Sequence, residues 1–105
     1  MKYQTKLTLL IYNEDRSNHL RGETQIMLPF HPAVGIHIQI DGMYPIKVVK
    51  VIWLVKEEIF HCIAEEGTYQ FNLETDIGAL TDDLDILRDA KQLGWDGFDQ
   101  IYRDK

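Results

Sequence analysis

The sequence predicts an α+β fold: a bent antiparallel meander of five or six strands with one C-terminal α-helix packed on a face. Three observations support this fold class. Apolar and polar residues alternate along the first two thirds of the chain, which is the period of a β-strand. From about Asp76 the period becomes 3.6 residues, which is typical of an amphipathic helix. The connections between strands are short, which favours antiparallel pairing; a partly closed small barrel is the alternative.

The length and composition indicate a single domain over residues 1–105. A chain of 105 residues with 45% hydrophobic content is long enough for one modest core. We expect the strands to occupy about residues 3–73, the helix about 76–94 and an aromatic tail 95–105.

The first two strands are predicted around a polar loop. Residues 3–12 are rich in β-forming side chains and place Leu7, Leu9 and Ile11 on one face, which is expected to point inward. The polar segment 13–22 reads as a long loop. The second strand, 23–30, contains Pro29, which indicates an edge position or a strand end.

Three further segments complete the predicted sheet. Residues 35–40 alternate regularly, with three isoleucines inward and His37 outward. After the fourth strand a turn at Lys56–Glu58 leads into the fifth, which contains Ile59–Ala64, and Glu65–Gly67 is expected to turn the chain into a short sixth strand, 68–73.

From Val48 to Val55 the fourth strand, 46–55, is apolar on both faces and is interrupted only by Lys50. One helix stripe can cover only one face of a sheet. The other face must be buried by a second copy of the chain, which is the preferred reading, or by strong curling of the same sheet. The two rows are Val49, Val51, Trp53 and Val55, taken as the candidate self-association face, and Val48, Ile52 and Leu54.

The helix and tail follow from the spacing of apolar residues after the sheet. Gly94 is the expected C-terminal cap of the helix. In the tail, Trp95, Phe98 and Tyr102 have helical spacing and predict a last aromatic turn. The apolar stripe consists of Ile77, Leu80, Leu84, Leu87, Ala90 and Leu93.

The net charge of −6 argues against general binding to nucleic acid or to an anionic membrane. Residues 1–56 carry seven Lys and Arg against four Asp and Glu, whereas residues 57–105 carry four against thirteen. This asymmetry motivates an alternative function: an acidic inhibitor, an immunity-type protein or a nucleic-acid mimic that binds a basic protein partner. The acidic run that includes Asp82, Asp85 and Asp89 is otherwise a solvated helix face or first helical turn.

The single cysteine, Cys62, is adjacent to His61 in the sequence but is not expected to touch it. Successive side chains of a strand point to opposite faces, so no Cys–His pair forms there. Cys62 is predicted to be a buried, inert thiol. One cysteine cannot form an internal disulfide, and we expect a cytoplasmic protein.

Two weaker candidate sites remain. His37 and His61 would meet only if their strands were neighbours, and scattered histidines are weak indicators of a metal site. A set of basic and aromatic residues could stack bases, but Lys47 and Lys50 have opposite parity and do not form one patch. That set is Lys2, Tyr3, Lys6, Tyr12, Lys47 and Lys50.

The polar loop is the best candidate contact surface, because long loops on rigid sheets often carry function. The sequence contains no phosphate loop, nucleophile elbow, zinc-protease motif or CxxC. We therefore expect no cofactor and no catalysis, but a small interaction module that self-associates as a homodimer. The candidate contact residues are Asn13, Glu14, Asp15, Arg16, His19 and Arg21.

Overall fold

A computed structural model describes residues 2–40, 44–71, 85–98 and 100–103 and shows an α+β domain, as predicted. Six strands form one mixed sheet, and the described residues add one short helix. In chain order the elements are β1 (Tyr3–Asn13), β2 (Asn18–Leu28), β3 (His37–Ile38), β4 (Ile46–Leu54), β5 (Ile59–Tyr69), α1 (Asp85–Gln92) and β6 (Ile101–Arg103).

The strand order is β3-β4-β5-β1-β2-β6, and the sheet is open, so the barrel alternative is not realised. Four neighbouring pairs are antiparallel, but β1 and β5 are parallel. The reason is the connection between β2 and β3, which crosses the end of the sheet to its far edge. Four strand spacings amount to about 19 Å, and residues 29–36 span this distance without a helix. The chain then returns strand by strand until β5 lies beside β1.

One face of the sheet, here called the core face, carries the hydrophobic core together with α1. The predicted inward row of β1, Leu7, Leu9 and Ile11, is fully buried there. The neighbouring strand β5 adds Cys62 and Ala64, which lie opposite Leu7 and Leu9 in the register. The opposite face, here called the open face, carries the alternate residues of each strand.

A β-bulge in β4 breaks the two apolar rows predicted for this strand. Val48 lies opposite Ala64 and Lys50 lies opposite Ile63, so Val49 is the extra, unpaired residue. The bulge reverses the parity of the strand, and Val48 therefore shares the core face with Val51. The predicted continuous row of four residues is wrong for this reason.

The same bulge places Lys47 and Lys50 on one face. They lie opposite Glu65 and Ile63, two residues apart on β5, and both point to the open face. The expectation that these lysines have opposite parity is therefore wrong.

β5 is one continuous strand, so the predicted turn at Glu65–Gly67 does not form. Residues 68 and 69 extend β5 rather than begin a sixth strand, and Phe71 is buried beyond its end. The remainder of that predicted strand, residues 72 and 73, lies outside the described residues.

The helix is confirmed where the structure describes it. Its buried residues are Ile86, Leu87 and Ala90. Gly94 has a φ of 86°, and the Trp95 N–H donates to the Ala90 carbonyl at 3.1 Å, which is a Schellman cap. The N-terminal half of the predicted helix, residues 76–84, lies outside the described residues.

The tail is not a helical turn as predicted but ends in the short strand β6, which pairs with the start of β2. Asp96 forms a bridge to Glu23 further along β2. Gly22 permits this arrangement, because a Cβ at that position would collide with the ring of Phe98. Spacing alone does not distinguish an aromatic helical turn from a strand that follows a bend.

Candidate functional site

The predicted contact loop is a short, tightly held turn between β1 and β2. Asn13 is 6% exposed and organises this turn. Its side-chain amide donates to Ser17 Oγ and to the Phe71 carbonyl, each at 3.0 Å, and its Oδ1 accepts from the Asn18 N–H at 3.1 Å. The Ser17 N–H donates to Asp15 Oδ1 at 2.9 Å, and bonds from Ser17 lower the pKa of Asp15. A short hairpin turn held by these bonds therefore replaces the predicted long loop.

Three of the predicted contact residues, Arg16, His19 and Arg21, join two tyrosines in a stack on the open face. The Arg16 guanidinium lies 3.9 Å from the ring centre of Tyr12, and that of Arg21 lies 4.6 Å from the ring centre of Tyr102. His19 lies between the tyrosines, with its ring centre 5.4 Å from Tyr12 and 5.3 Å from Tyr102. We call these five residues the cation–aromatic stack.

The stack is largely satisfied by its own contacts. Arg16 Nη2 donates to Glu65 Oε1 at 2.6 Å, and Arg21 Nη2 donates to His19 Nε2 at 3.2 Å. The second of these bonds requires Nε2 of His19 to be an acceptor. These contacts link β6 and the hairpin to the sheet.

His61 lies on the open face at the centre of the sheet. Its Nε2 is 2.8 Å from Thr8 Oγ1 on β1. Burial lowers the pKa of His61, the charge of Lys6 lowers it further, and Glu23 opposes the change. Lys6 and Glu23 form an ion pair of 3.4 Å beside it. A threonine–histidine pair is one arrangement of a nucleophile and its base. Thr8, however, is only 5% exposed within a β-strand, so a substrate would have little access to its hydroxyl.

His37 and His61 do not form a site. His37 is on the edge strand β3 opposite Lys47, and His61 is on β5 opposite Ile52. Strand spacing and rise place their backbones about 16 Å apart. Within the described ranges, no group of three or more His, Cys, Asp or Glu side chains is arranged to hold a metal ion.

Cys62 is fully buried on the core face, away from His61. Burial raises the pKa of its thiol, so the protonated form is favoured. The predicted placement of this cysteine is confirmed.

An aromatic cluster, consisting of Tyr3, His31, Trp53 and Phe60, lies on the core face at one end of the sheet. His31 reaches it from the connection that crosses the sheet end, with its ring centre 4.4 Å from Tyr3 and 5.6 Å from Phe60. Trp53 meets Phe60 edge to face at 4.9 Å. Trp53 is nevertheless 48% exposed.

The helix α1 lies towards the other end of the same face. The charge of Asp85, its first residue, acts on Tyr69 at the end of β5. Phe60 is at the start of β5, nine residues away, which is about 30 Å along a strand. The aromatic cluster is therefore outside the area that α1 covers.

The predicted self-association face divides between different environments. Val51 is half-buried on the core face, next to the aromatic cluster that contains Trp53. Val49 is the bulge residue, and Val55 lies beyond β4 in the turn, 76% exposed. Val51 and Trp53 therefore lie on the same face, whereas Val49 and Val55 do not belong to their row.

Sequence reasoning missed Tyr3, His31 and Phe60 as partners of Trp53. The four residues are far apart in the chain, and they meet only because β5 is parallel to β1 and because the β2–β3 connection crosses that end. The one available signal was that Tyr3, Trp53 and Phe60 each lie near the end of a strand.

Two of the described acidic residues form ion pairs with arginines. Asp85 pairs with Arg88 on α1, and Glu65 pairs with Arg16. Asp82 lies outside the described residues. None of the described helices is long and apolar enough to cross a membrane.

Comparison with models of known protein families, with curated proteins and with solved structures finds no match for the chain. Its function is therefore argued from its own residues.

Proposed function

We propose that the protein is a small non-catalytic, cytoplasmic interaction module that self-associates through the aromatic cluster. The observation that carries the proposal is Trp53, which is 48% exposed although it packs on Phe60 at the end of the core face that α1 does not cover. Half-exposed aromatic side chains beside a core are typical of the buried centre of an interface.

Two further apolar side chains, each close in the chain to a residue of the cluster, are exposed. Phe30 precedes His31 in the connection and is 48% exposed, and Val55 follows β4 and is 76% exposed. Monomeric proteins rarely leave contiguous apolar patches in water. In a dimer with a two-fold axis, the aromatic cluster of each copy would be buried by the other copy.

The test is the dimer dissociation constant of two matched variants, measured by analytical ultracentrifugation. Trp53→Asp places a charge in the aromatic cluster, and we expect it to weaken the dimer by roughly tenfold or more. Met27→Asp is the control, because Met27 is 55% exposed at the same end of the sheet but on the open face. Equal dissociation constants for the two variants, with both still folded by circular dichroism, would reject the aromatic cluster as the contact.

A second candidate function is the binding of a basic protein partner by the acidic half of the chain. Exposed Glu57 and Glu58 lie together in the β4–β5 turn and support it. The pairing of Glu65 and Asp85 with arginines weighs against it. Capture of a basic protein that is lost at about 0.5 M salt would favour this function over self-association.

A further inference from the structure

The outer edge of β4 is only partly covered. β3 pairs with Ile46 and Lys47, and the preceding residues extend this cover by one position. The Gly35 N–H donates to the Val48 carbonyl at 2.8 Å, and the Val48 N–H donates to the Ile36 carbonyl at 2.9 Å. From Lys50 to Leu54, no segment among the described residues pairs with this edge.

The opposite edge of the sheet is covered from the start of β2 as far as Glu23, and Pro29 follows the end of β2. β6 covers the start of β2, and Asp96 closes the next part with backbone bonds of 2.7 and 2.9 Å to Glu23. The free segment of β4, Lys-Val-Ile-Trp-Leu, contains one charge and no proline. An unprotected apolar edge of this kind is a template for another strand.

We propose that a second copy of the chain pairs with this edge, antiparallel and about a two-fold axis at Ile52, to form one continuous twelve-stranded sheet. This inference rests on the proposed function, because it specifies how self-association occurs. It names the partner as the same segment, Lys50–Leu54, of the second copy.

The limits of the free segment determine the register. The segment is bounded by Val48, which is bonded to the β2–β3 connection, and by Leu54, where β4 ends. All residues of this segment pair with the same segment of the second copy only when Ile52 lies opposite Ile52 of that copy. A register centred on Trp53 would place Lys50 opposite Lys56 of the second copy, and like charges in opposed positions are unfavourable.

The side chains of this register suit a second copy. Val51 lies opposite Trp53 of the second copy on the core face, so each copy covers the exposed side of the other's Trp53. On the open face, the two Ile52 side chains meet at the axis, since Ile52 lies on the same side as His61. The antiparallel direction also brings the exposed β4–β5 turn of one copy, which carries Glu57 and Glu58, towards the end of the free segment that carries Lys50 of the other copy.

The first experiment uses paired charge variants at the axis. Ile52→Lys and Ile52→Glu should each weaken self-association by roughly tenfold or more, because like charges then oppose each other. An equimolar mixture of the two variants should restore a dimer. Ile63→Lys is the matched control, because Ile63 is half-buried on the same face but one strand further in, and it should leave the dissociation constant unchanged.

The second experiment is a cross-link that does not depend on tolerance of a charge. In a Cys62→Ala background, Ile52→Cys should form an intermolecular disulfide on mild oxidation, because opposed Cα atoms of antiparallel strands lie about 4.5–5.5 Å apart. Lys47→Cys is the control. Lys47 lies on the same face, but β3 pairs with β4 at this position, so the variant should not form an intermolecular disulfide.

The outcomes separate this inference from the proposed function. A wild-type dimer that neither cross-links through Ile52→Cys nor weakens in Ile52→Lys overturns edge pairing and leaves self-association intact. A dimer weakened by Ile63→Lys as strongly as by Ile52→Lys indicates face-to-face stacking and also overturns edge pairing. A monomeric wild-type protein overturns both.

Discussion

At the scale of single residues, His61 and Cys62 are neighbours in the chain that occupy opposite faces of β5. The His61 ring contacts Thr8 on the open face, whereas Cys62 is fully buried against the core. The two-residue period of a strand alone separates them. Their chemical properties can therefore be tested independently.

Cys62 should be inert and replaceable. Burial raises the pKa of its thiol, so a thiol reagent at neutral pH should label the native protein far more slowly than the urea-unfolded chain. Cys62→Ser should lower the free energy of unfolding more than Cys62→Ala, because an unbonded buried hydroxyl costs about 1–3 kcal/mol. Labelling of the native protein as fast as that of the unfolded chain would contradict this assignment.

His61 should make stability depend on pH. Its folded-state pKa lies below the ordinary value of 6.5, so the unfolded chain binds a proton at higher pH than the folded chain does. Its contribution to stability is therefore fully present above about pH 6.5 and is lost as the pH falls from there through the lower folded pKa.

The measurement is urea unfolding near pH 7.5 and near pH 5.5 for the wild type and for His61→Gln. The wild type should lose more stability between these pH values than the variant does. Glu66, whose pKa burial raises, remains in both proteins, and its opposite pH dependence cancels in the comparison. Identical losses would show that His61 does not titrate differently in the folded state.

At the scale of elements, the period of the apolar pattern predicted three features that the structure shows. It predicted the buried row of β1, the core side of β5 and the packing of α1. These features depend on local alternation and on burial of one face, and both can be recognised from consecutive residues of the sequence. The Schellman cap at Gly94 was predictable for the same reason, since a left-handed residue at a helix end favours glycine.

The packing of α1 can be tested through Leu87, which is 1% exposed. Leu87→Ala should lower the free energy of unfolding by about 2–5 kcal/mol, since a buried cavity remains. Asp85→Ala is the control and should cost less than about 1 kcal/mol, because the Asp85–Arg88 pair is exposed. Both values come from chemical denaturation. Equal effects would mean that α1 does not dock through Leu87.

The features that the sequence did not reveal are those that depend on contacts between distant segments. In the sequence, Val49 is one more apolar residue of β4. It is recognised as a bulge residue only in the structure, where it has no partner on β5. β6 forms because the edge of β2 is available, although its spacing also suits a helix. Arg16, His19 and Arg21 were selected as loop residues, yet His19 and Arg21 belong to β2 and all three belong to a stack completed by Tyr102.

At the scale of the whole molecule, the parallel β1–β5 pair decides where a surface can form. It brings Tyr3 beside Phe60 at the end of the sheet that α1 does not cover. It also leaves β4 next to the edge, where β3 protects only its first residues. The half-exposed Trp53 and the free edge of β4 adjoin each other, so one contact would cover both.

The most direct test of self-association is the mass of the wild-type particle in a concentration series, measured by light scattering. The chain mass is 12.3 kDa. We expect the mass to approach about twice that value at micromolar concentration and to fall towards the chain mass on dilution, as for a two-fold dimer. A particle that keeps the mass of one chain from micromolar to near-millimolar concentration would contradict the account, since Trp53 and the β4 edge would then remain in water.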